Sequence, residues 1–121
     1  MILELSRDAA DAMLNELARL MDGGTIELMS DQRVLAVLKL ASPAAMAAVD
    51  GELELNTIIG EDAALARGNA LSARILGATG DEIFSCDVGD ENSDAVIKLV
   101  GTTTIHRGQP VGLSSFRLVM P

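Results

Sequence analysis

The hydrophobic pattern of the chain starts with a helical period and changes near residue 25. Apolar residues recur every three or four positions from Asp8 to Met21, which is the spacing of one face of an α-helix. Ser6 or Asp8 can cap the first turn, and Gly23-Gly24 would end the helix because glycine adopts left-handed backbone angles without strain. The pattern therefore predicts one amphipathic helix over about residues 8–22.

After this helix, apolar residues follow a period of two or form short runs separated by turn residues, as is typical of β-strands. The segments with this pattern are 25–29, 34–40, 52–56, 71–75, 83–88, 96–100, 102–105 and 111–120. Residues 41–49 fit either a short helical turn after Pro43 or a loop of small residues. One helix and about eight short strands predict a mainly β fold, an antiparallel β-sandwich or jelly roll, in a single domain of residues 1–121.

The last predicted strand changes its apolar face part-way. Val111 and Leu113 occupy odd positions, whereas Phe116, Leu118 and Met120 occupy even positions. Because successive side chains of a strand point to opposite faces, this change predicts an irregularity near Ser114-Ser115. The irregularity is either a β-bulge or a passage of the strand from one sheet to another.

Composition and charge restrict the core and the partners of the protein. Hydrophobic residues make up 49% of the 121 residues, but only Phe84 and Phe116 are aromatic, so the core is expected to be aliphatic. The net charge is −9 and the nine basic residues are scattered, which argues against nucleic acid as the main partner. We see no secretion signal and no membrane-spanning run, so we expect synthesis in the cytoplasm and no membrane partner.

Few side chains are candidates for catalysis or metal binding. Cys86 is the only cysteine and lies on the apolar face of its strand beside Asp87, which indicates a small buried residue rather than a reactive thiol. His106 is the only histidine and lies in no nucleophile motif. The acidic loop 87–94 lacks EF-hand spacing and is interpreted as a solvated turn, with calcium binding as the alternative. We expect no catalytic residue, metal or cofactor.

The predicted helix has two interpretations. In the favoured one, its apolar side covers one face or one end of the β-sandwich. In the other, Met13 and Met21 form an adaptable surface for another subunit, because methionine side chains are flexible and polarizable.

Five short motifs, spread over nearly the whole chain, carry a family resemblance. The helix ends in Asp22-Gly23-Gly24, a Leu- and Ala-rich strand leads to Ser42-Pro43-Ala44, and an Ala- and Gly-rich stretch leads to Arg74-Ile75. Asp87-Val88-Gly89 follows a short hairpin, and the closing segment Gly108–Pro121 reads Gly-x-x-Val-x-Leu-x-Ser-x-x-Leu-x-x-Pro. In this order the motifs resemble a family of small virion proteins of tailed phages and prophages.

This resemblance implies a jelly-roll capsid cement or decoration protein without catalytic residues. Such a protein binds junctions between major capsid proteins on the outside of the virion and stabilises the lattice through many modest contacts. We expect a homo-oligomer, either a dimer or a trimer. A tail or baseplate structural component is the first alternative, and a ligand- or carbohydrate-binding β-sandwich is the second, although the lack of Trp and Tyr weighs against sugar binding.

The predicted partner-binding residues lie in two segments, residues 1–5 and 58–67. Both contain apolar side chains for which the sequence suggests no role inside the domain. The residues are Met1, Ile2, Leu3, Leu5, Ile58, Ile59, Leu65 and Arg67.

Overall fold

A computed structural model describes residues 6–56, 58 and 63–119 of the chain. It contains one helix, α1 (Arg7–Met21), and nine strands. The strands are β1 (Thr25–Ser30), β2 (Arg33–Lys39), β3 (Glu52–Glu54), β4 (Gly68–Asn69), β5 (Ser72–Leu76), β6 (Glu82–Gly89), β7 (Ile97–Leu99), β8 (Thr104–Ile105) and β9 (Leu113–Val119). The predicted mainly β fold with a single N-terminal helix is confirmed for these residues.

Both ends of α1 follow the predicted signals. The Ser6 hydroxyl accepts a hydrogen bond from the Ala9 N–H at 3.1 Å, which satisfies one of the free amides of the first turn. After the last turn, Gly23 adopts a left-handed φ of 69°, and the Gly24 N–H donates to the Met21 carbonyl at 2.9 Å. The side chains that α1 buries share one face of the helix: Ala10, Leu14, Ala18 and Met21.

The strands form a seven-stranded sheet in the order β2-β1-β5-β6-β7-β9-β3 and a separate β4-β8 pair. The predicted all-antiparallel arrangement is wrong at one place, because β6 and β7 pair in parallel through Val88 opposite Ile97 and Gly89 opposite Lys98. The acidic loop connects the two strands at this place. The Asp87 carboxylate accepts a hydrogen bond from the Val96 N–H at 2.8 Å, which holds the residue before β7 beside the end of β6. The sheet is therefore mixed.

The centre of the sheet is built from cross-strand pairs of β1 and β5. Ile26 lies opposite Ile75 and Leu28 lies opposite Ala73, and all four side chains are fully buried. Between these pairs, Glu27 lies opposite Arg74 on the other face, and the two side chains form an ion pair. Apolar pairs on one face and an ion pair on the other fix the register, because a shift by one residue would exchange the two faces.

The change of apolar face in the last strand is explained by a β-bulge. Lys98 pairs with Ser115 and Leu99 pairs with Leu113, so Ser114 is the extra residue of β9. Its hydroxyl donates to the Lys98 carbonyl at 3.2 Å. The bulge is the first of the two predicted explanations, and it lets Phe116 reach the core. Passage between sheets is not needed, since both neighbours of β9 belong to the same sheet.

Residues 41–51 form an irregular segment that α1 holds through side chains. No helical turn forms after Pro43, and the segment makes only isolated bridges, at Ala45 and at Val49. Its backbone amides donate instead to three polar side chains of α1 and its cap, each at 2.7 Å. These contacts join Gly51 N to Asp11 Oδ1, Ala48 N to Asn15 Oδ1 and Ala44 N to Asp22 Oδ1.

The three acceptors can act together because of helix geometry. With 3.6 residues per turn, positions 11, 15 and 22 lie along one side of the helix. This side adjoins the buried face, whose Leu14 and Ala18 form a small core cluster with Ala48 and Leu53. These three side chains, which we call the polar row, therefore accept hydrogen bonds from the backbone amides of the irregular segment where that segment covers an apolar cluster.

We predict that Asn15→Ala lowers the free energy of unfolding by about 1–2 kcal/mol, because the partly buried Ala48 N–H loses its acceptor. Glu16→Ala is the matched control. It removes an exposed ion pair with Arg19 and should leave the free energy of unfolding almost unchanged, because exposed ion pairs contribute little to stability. Urea unfolding of both variants measures the difference, and equal effects would contradict the role given to the polar row.

Candidate functional site

The predicted partner-binding residues are only partly covered by the structure. Met1, Ile2, Leu3, Leu5 and Ile59 lie outside the described residues. Ile58 is half-buried and packs against the main core, whereas Leu65 has 56% of its surface exposed and Arg67 is also exposed. Ile58 lines a cleft that includes neither Leu65 nor Arg67, so the structure does not place the three residues in one site.

Leu65 and Arg67 belong to a short segment, residues 63–67, that is fixed along the outer edge of β2. The N–H groups of Leu65 and Ala66 donate to the Leu35 carbonyl at 2.8 and 3.3 Å. On the other side, Ala64 exchanges two backbone hydrogen bonds with residues 108 and 109. Ala64 and Ala66 are buried, so the alternation directs Leu65 and Arg67 outwards. The prediction that these two residues contact a partner stays a prediction.

A second surface lies on the outer side of α1. Met13 and Leu20 are 52% and 46% exposed, and Leu17 lies half-buried between them. With Ala12 and Glu16, these residues line a shallow groove of about 440 Å³. Met21, which the sequence grouped with Met13 as a possible subunit surface, is instead fully buried. A helix with two adjacent apolar stripes produces this error, because periodicity alone does not show which stripe packs on the sheet.

The groove continues beyond the C-terminal turn of α1. A neighbouring depression of about 260 Å³ is shared between Leu20 and the turn that joins β5 to β6. Ala78 and the half-buried Ile83 extend the apolar surface there, and Asp81 lies at its rim. We call the combined surface the helix groove. It is lined by Ala12, Met13, Glu16, Leu17, Arg19, Leu20, Asp22, Gly77, Ala78, Thr79, Asp81 and Ile83.

A polar cleft of about 390 Å³ lies beside the bulge of β9, where β3 and β9 separate. Three of its polar side chains, those of Ser114, Asn56 and Arg117, have partners within the protein. The Ser114 hydroxyl donates to the Lys98 carbonyl, and the Asn56 amide donates to the Pro43 carbonyl at 3.0 Å. At the rim, Arg117 forms an ion pair with Glu52 at 3.4 Å. These contacts stabilise the strand ends.

The residues considered for chemistry lie apart from these surfaces. His106 is exposed in the turn after β8, where its backbone N–H donates to the Gln109 side chain at 3.2 Å. In the acidic loop, Asp87 and Asp90 accept backbone hydrogen bonds from Val96 and Asn92. Over residues 6–56, 58 and 63–119, no group of three or more His, Cys, Asp and Glu side chains is placed to hold a metal ion.

Cys86 is partly buried against the main core, as its position in the strand pattern predicts. Burial raises the pKa of its thiol to about 12, and the Asp87 carboxylate acts in the same direction. A raised pKa in the folded state means that the folded protein keeps the proton longer than the unfolded chain. The stabilising contribution is therefore complete below about pH 9 and is lost as the pH rises towards 12.

We predict that iodoacetamide alkylates Cys86 in the folded protein at least about a hundredfold more slowly than in urea-unfolded protein at pH 8, since the thiolate is the nucleophile. Mass spectrometry of timed samples measures the two rates. Equal rates would show that the thiol is not protected by the fold.

The described residues thus present surfaces that can bind a partner, chiefly the helix groove and the exposed side chains of the 63–67 segment. In this part of the chain, no helix is long and apolar enough to cross a membrane. Comparison of the chain with protein-family models, with curated proteins and with solved structures finds no match.

Proposed function

We propose that the protein is a non-enzymatic structural protein of a phage virion, a capsid cement or decoration protein that binds junctions of the major capsid lattice on the outer surface. The observation that carries this proposal is the helix groove, where large aliphatic side chains stay half-exposed beside one another. Neighbouring exposed apolar side chains offer a contact surface for another protein, because burying them in an interface is favourable.

The motifs that carry the family resemblance support a structural role. Asp22 caps the irregular segment after β2, Arg74 pairs with Glu27 across the sheet, and Asp87 fixes the start of β7. Each of these residues is engaged in holding the fold. A set of motifs with such roles fits a family defined by its architecture.

The rest of the surface fits a protein that must stay soluble until it meets its lattice. A net charge of −9 favours solubility and disfavours association with nucleic acid. In the proposal the strands form a jelly-roll type of sandwich, with the mixed sheet as its larger part. Many copies, each with a modest interface, would then stabilise the capsid together.

Particles assembled without this protein test the proposal. We expect them to release their DNA at a lower temperature than complete particles, because the lattice lacks its clamps. A fluorescent DNA dye followed during heating measures the release, and added purified protein should restore the higher temperature. An unchanged release temperature would contradict the cement function.

A further inference from the structure

The helix groove contains apolar surface that the fold does not use. Leu14 and Ala18 pack into the small cluster with Leu53, and Met21 packs into the main core. Met13 and Leu20 project from the neighbouring side of α1 and stay about half-exposed. Packing among residues 6–56, 58 and 63–119 therefore accounts for one apolar stripe of the helix and leaves the second stripe partly exposed.

The second stripe has the dimensions of a helix-packing surface. Met13, Leu17 and Leu20 are spaced i, i+4 and i+7, so they form a ridge about 10 Å long on one side of α1. The depression between Leu20 and Ile83 extends this ridge towards the β5–β6 turn. A second helix can lie along such a ridge with its own aliphatic side chains between the exposed ones.

The rim of the groove is negatively charged. Glu16 and Arg19 neutralise each other in an ion pair, and the hydrogen bond from Arg19 lowers the pKa of Glu16. The remaining charged residues that line the groove, Asp22 and Asp81, are acidic. Glu82, which is also exposed, lies between Asp81 and Ile83 in the sequence. An occupant that carries positive charge beside its apolar face would therefore match this rim.

We propose that the helix groove binds an amphipathic helix of a partner protein, with an aliphatic face and lysine or arginine residues beside that face. A second copy of this chain is a poorer occupant, since two identical acidic rims would face each other and each copy has a net charge of −9. The assignment of this helix to the major capsid protein rests on the proposed function. The inference that the groove binds a cationic amphipathic helix rests only on the side chains that line the groove.

The first experiment uses particles assembled without this protein and measures co-sedimentation of the purified protein with them. Met13→Lys/Leu20→Lys removes the ridge, and Asp81→Lys/Glu82→Lys reverses the rim. We expect both variants to bind at least about tenfold more weakly than the wild type. Met46→Lys/Val100→Lys, which alters two exposed apolar residues elsewhere, should bind like the wild type. Thermal unfolding of each variant checks that it is folded.

The second experiment separates the groove from the identity of the partner. Two synthetic amphipathic helices, one of leucine, alanine and lysine and one of leucine, alanine and glutamate, are titrated into labelled protein and followed by NMR. We expect the lysine peptide alone to shift the amides of Met13, Leu17, Leu20 and Ile83, less strongly at high salt.

The outcomes of the two experiments are distinguishable. Failure of the wild type to bind particles overturns the proposed function, while binding of the lysine peptide in the groove still supports the inference. Equal particle binding by the wild type and the groove variants overturns the groove as the contact, while the binding itself still supports the proposed function through another surface. Equal binding of both peptides overturns the charge argument. A dimer that Met13→Lys/Leu20→Lys converts to a monomer assigns the groove to a second copy and overturns the inference.

Discussion

Gly24→Ala is expected to lower the free energy of unfolding by about 3 kcal/mol or more, which is a large part of the stability of a small domain. Gly24 follows α1 and leads into β1, where the chain passes close to the end of β5. A Cβ atom at this position would lie 2.0 Å from the Leu76 carbonyl oxygen and 3.1 Å from the Met21 carbonyl oxygen. Both neighbours are backbone atoms, so neither can move aside without displacing a strand or the helix.

Gly101→Ala is the matched control for this prediction. Gly101 has a left-handed φ of 79°, but a Cβ atom there would meet nothing within 4 Å. This substitution should therefore cost only the backbone strain, about 1–2 kcal/mol. Urea unfolding compares the two variants, and a smaller loss for Gly24→Ala than for Gly101→Ala would contradict the close approach of Gly24 to the end of β5.

Leu28→Ala is expected to lower the free energy of unfolding by about 2–5 kcal/mol, because it leaves a cavity in the centre of the sheet. Leu28 is fully buried, opposite Ala73 on one side and Ala36 on the other. Small neighbours cannot fill the space that the leucine side chain occupies. The same core contains no tryptophan or tyrosine, so its stability depends on aliphatic side chains such as this one.

Leu71→Ala offers the same chemical change at a nearby surface position. Leu71 precedes β5 and donates its N–H to the Met29 carbonyl, but 51% of its side chain is exposed. Its replacement should cost less than about 1 kcal/mol. If the two leucine variants had the same stability in urea or thermal unfolding, the central position of β1 in the core would be wrong.

Local signals explain why much of the fold is predictable from the sequence. The cap at Ser6 and the stop at Gly23 act within one helical turn, and both are confirmed. Turns also form in the gaps before the predicted strands 34–40 and 52–56, with positive φ values of 52° at Asp31 and 53° at Asp50. In the last strand, the change of apolar face correctly indicated the bulge at Ser114.

The features that the sequence did not predict depend on distant partners. The parallel pairing of β6 and β7 depends on the path of the loop between them, where Val96 donates to Asp87, and no periodicity reveals this path. Gly68–Asn69 lies outside every predicted strand, but it forms β4 by pairing with β8 about 35 residues later. Leu71 has the alternation of Ala73 and Ile75 but lies outside the core, because the strand begins only after it.

The candidate site also combines features that the local sequence predicts with features that depend on distant residues. The exposure of Leu65 and Arg67 follows from their position in a predicted loop, and the structure agrees. The helix groove was suggested only through Met13 and the wrongly paired Met21. Its extension to Ile83 joins α1 to a hairpin that lies some 60 residues later, so only the folded chain brings these residues together.

The location and number of copies of this protein in purified virions test the central claim most directly. Virions are separated into heads and tails, and quantitative mass spectrometry measures the ratio of this protein to the major capsid protein in each fraction. The account predicts that the protein is found in the heads, in copy numbers comparable to those of the major capsid protein. Its absence from the heads, or its presence as a few copies confined to the tails, would contradict a cement function.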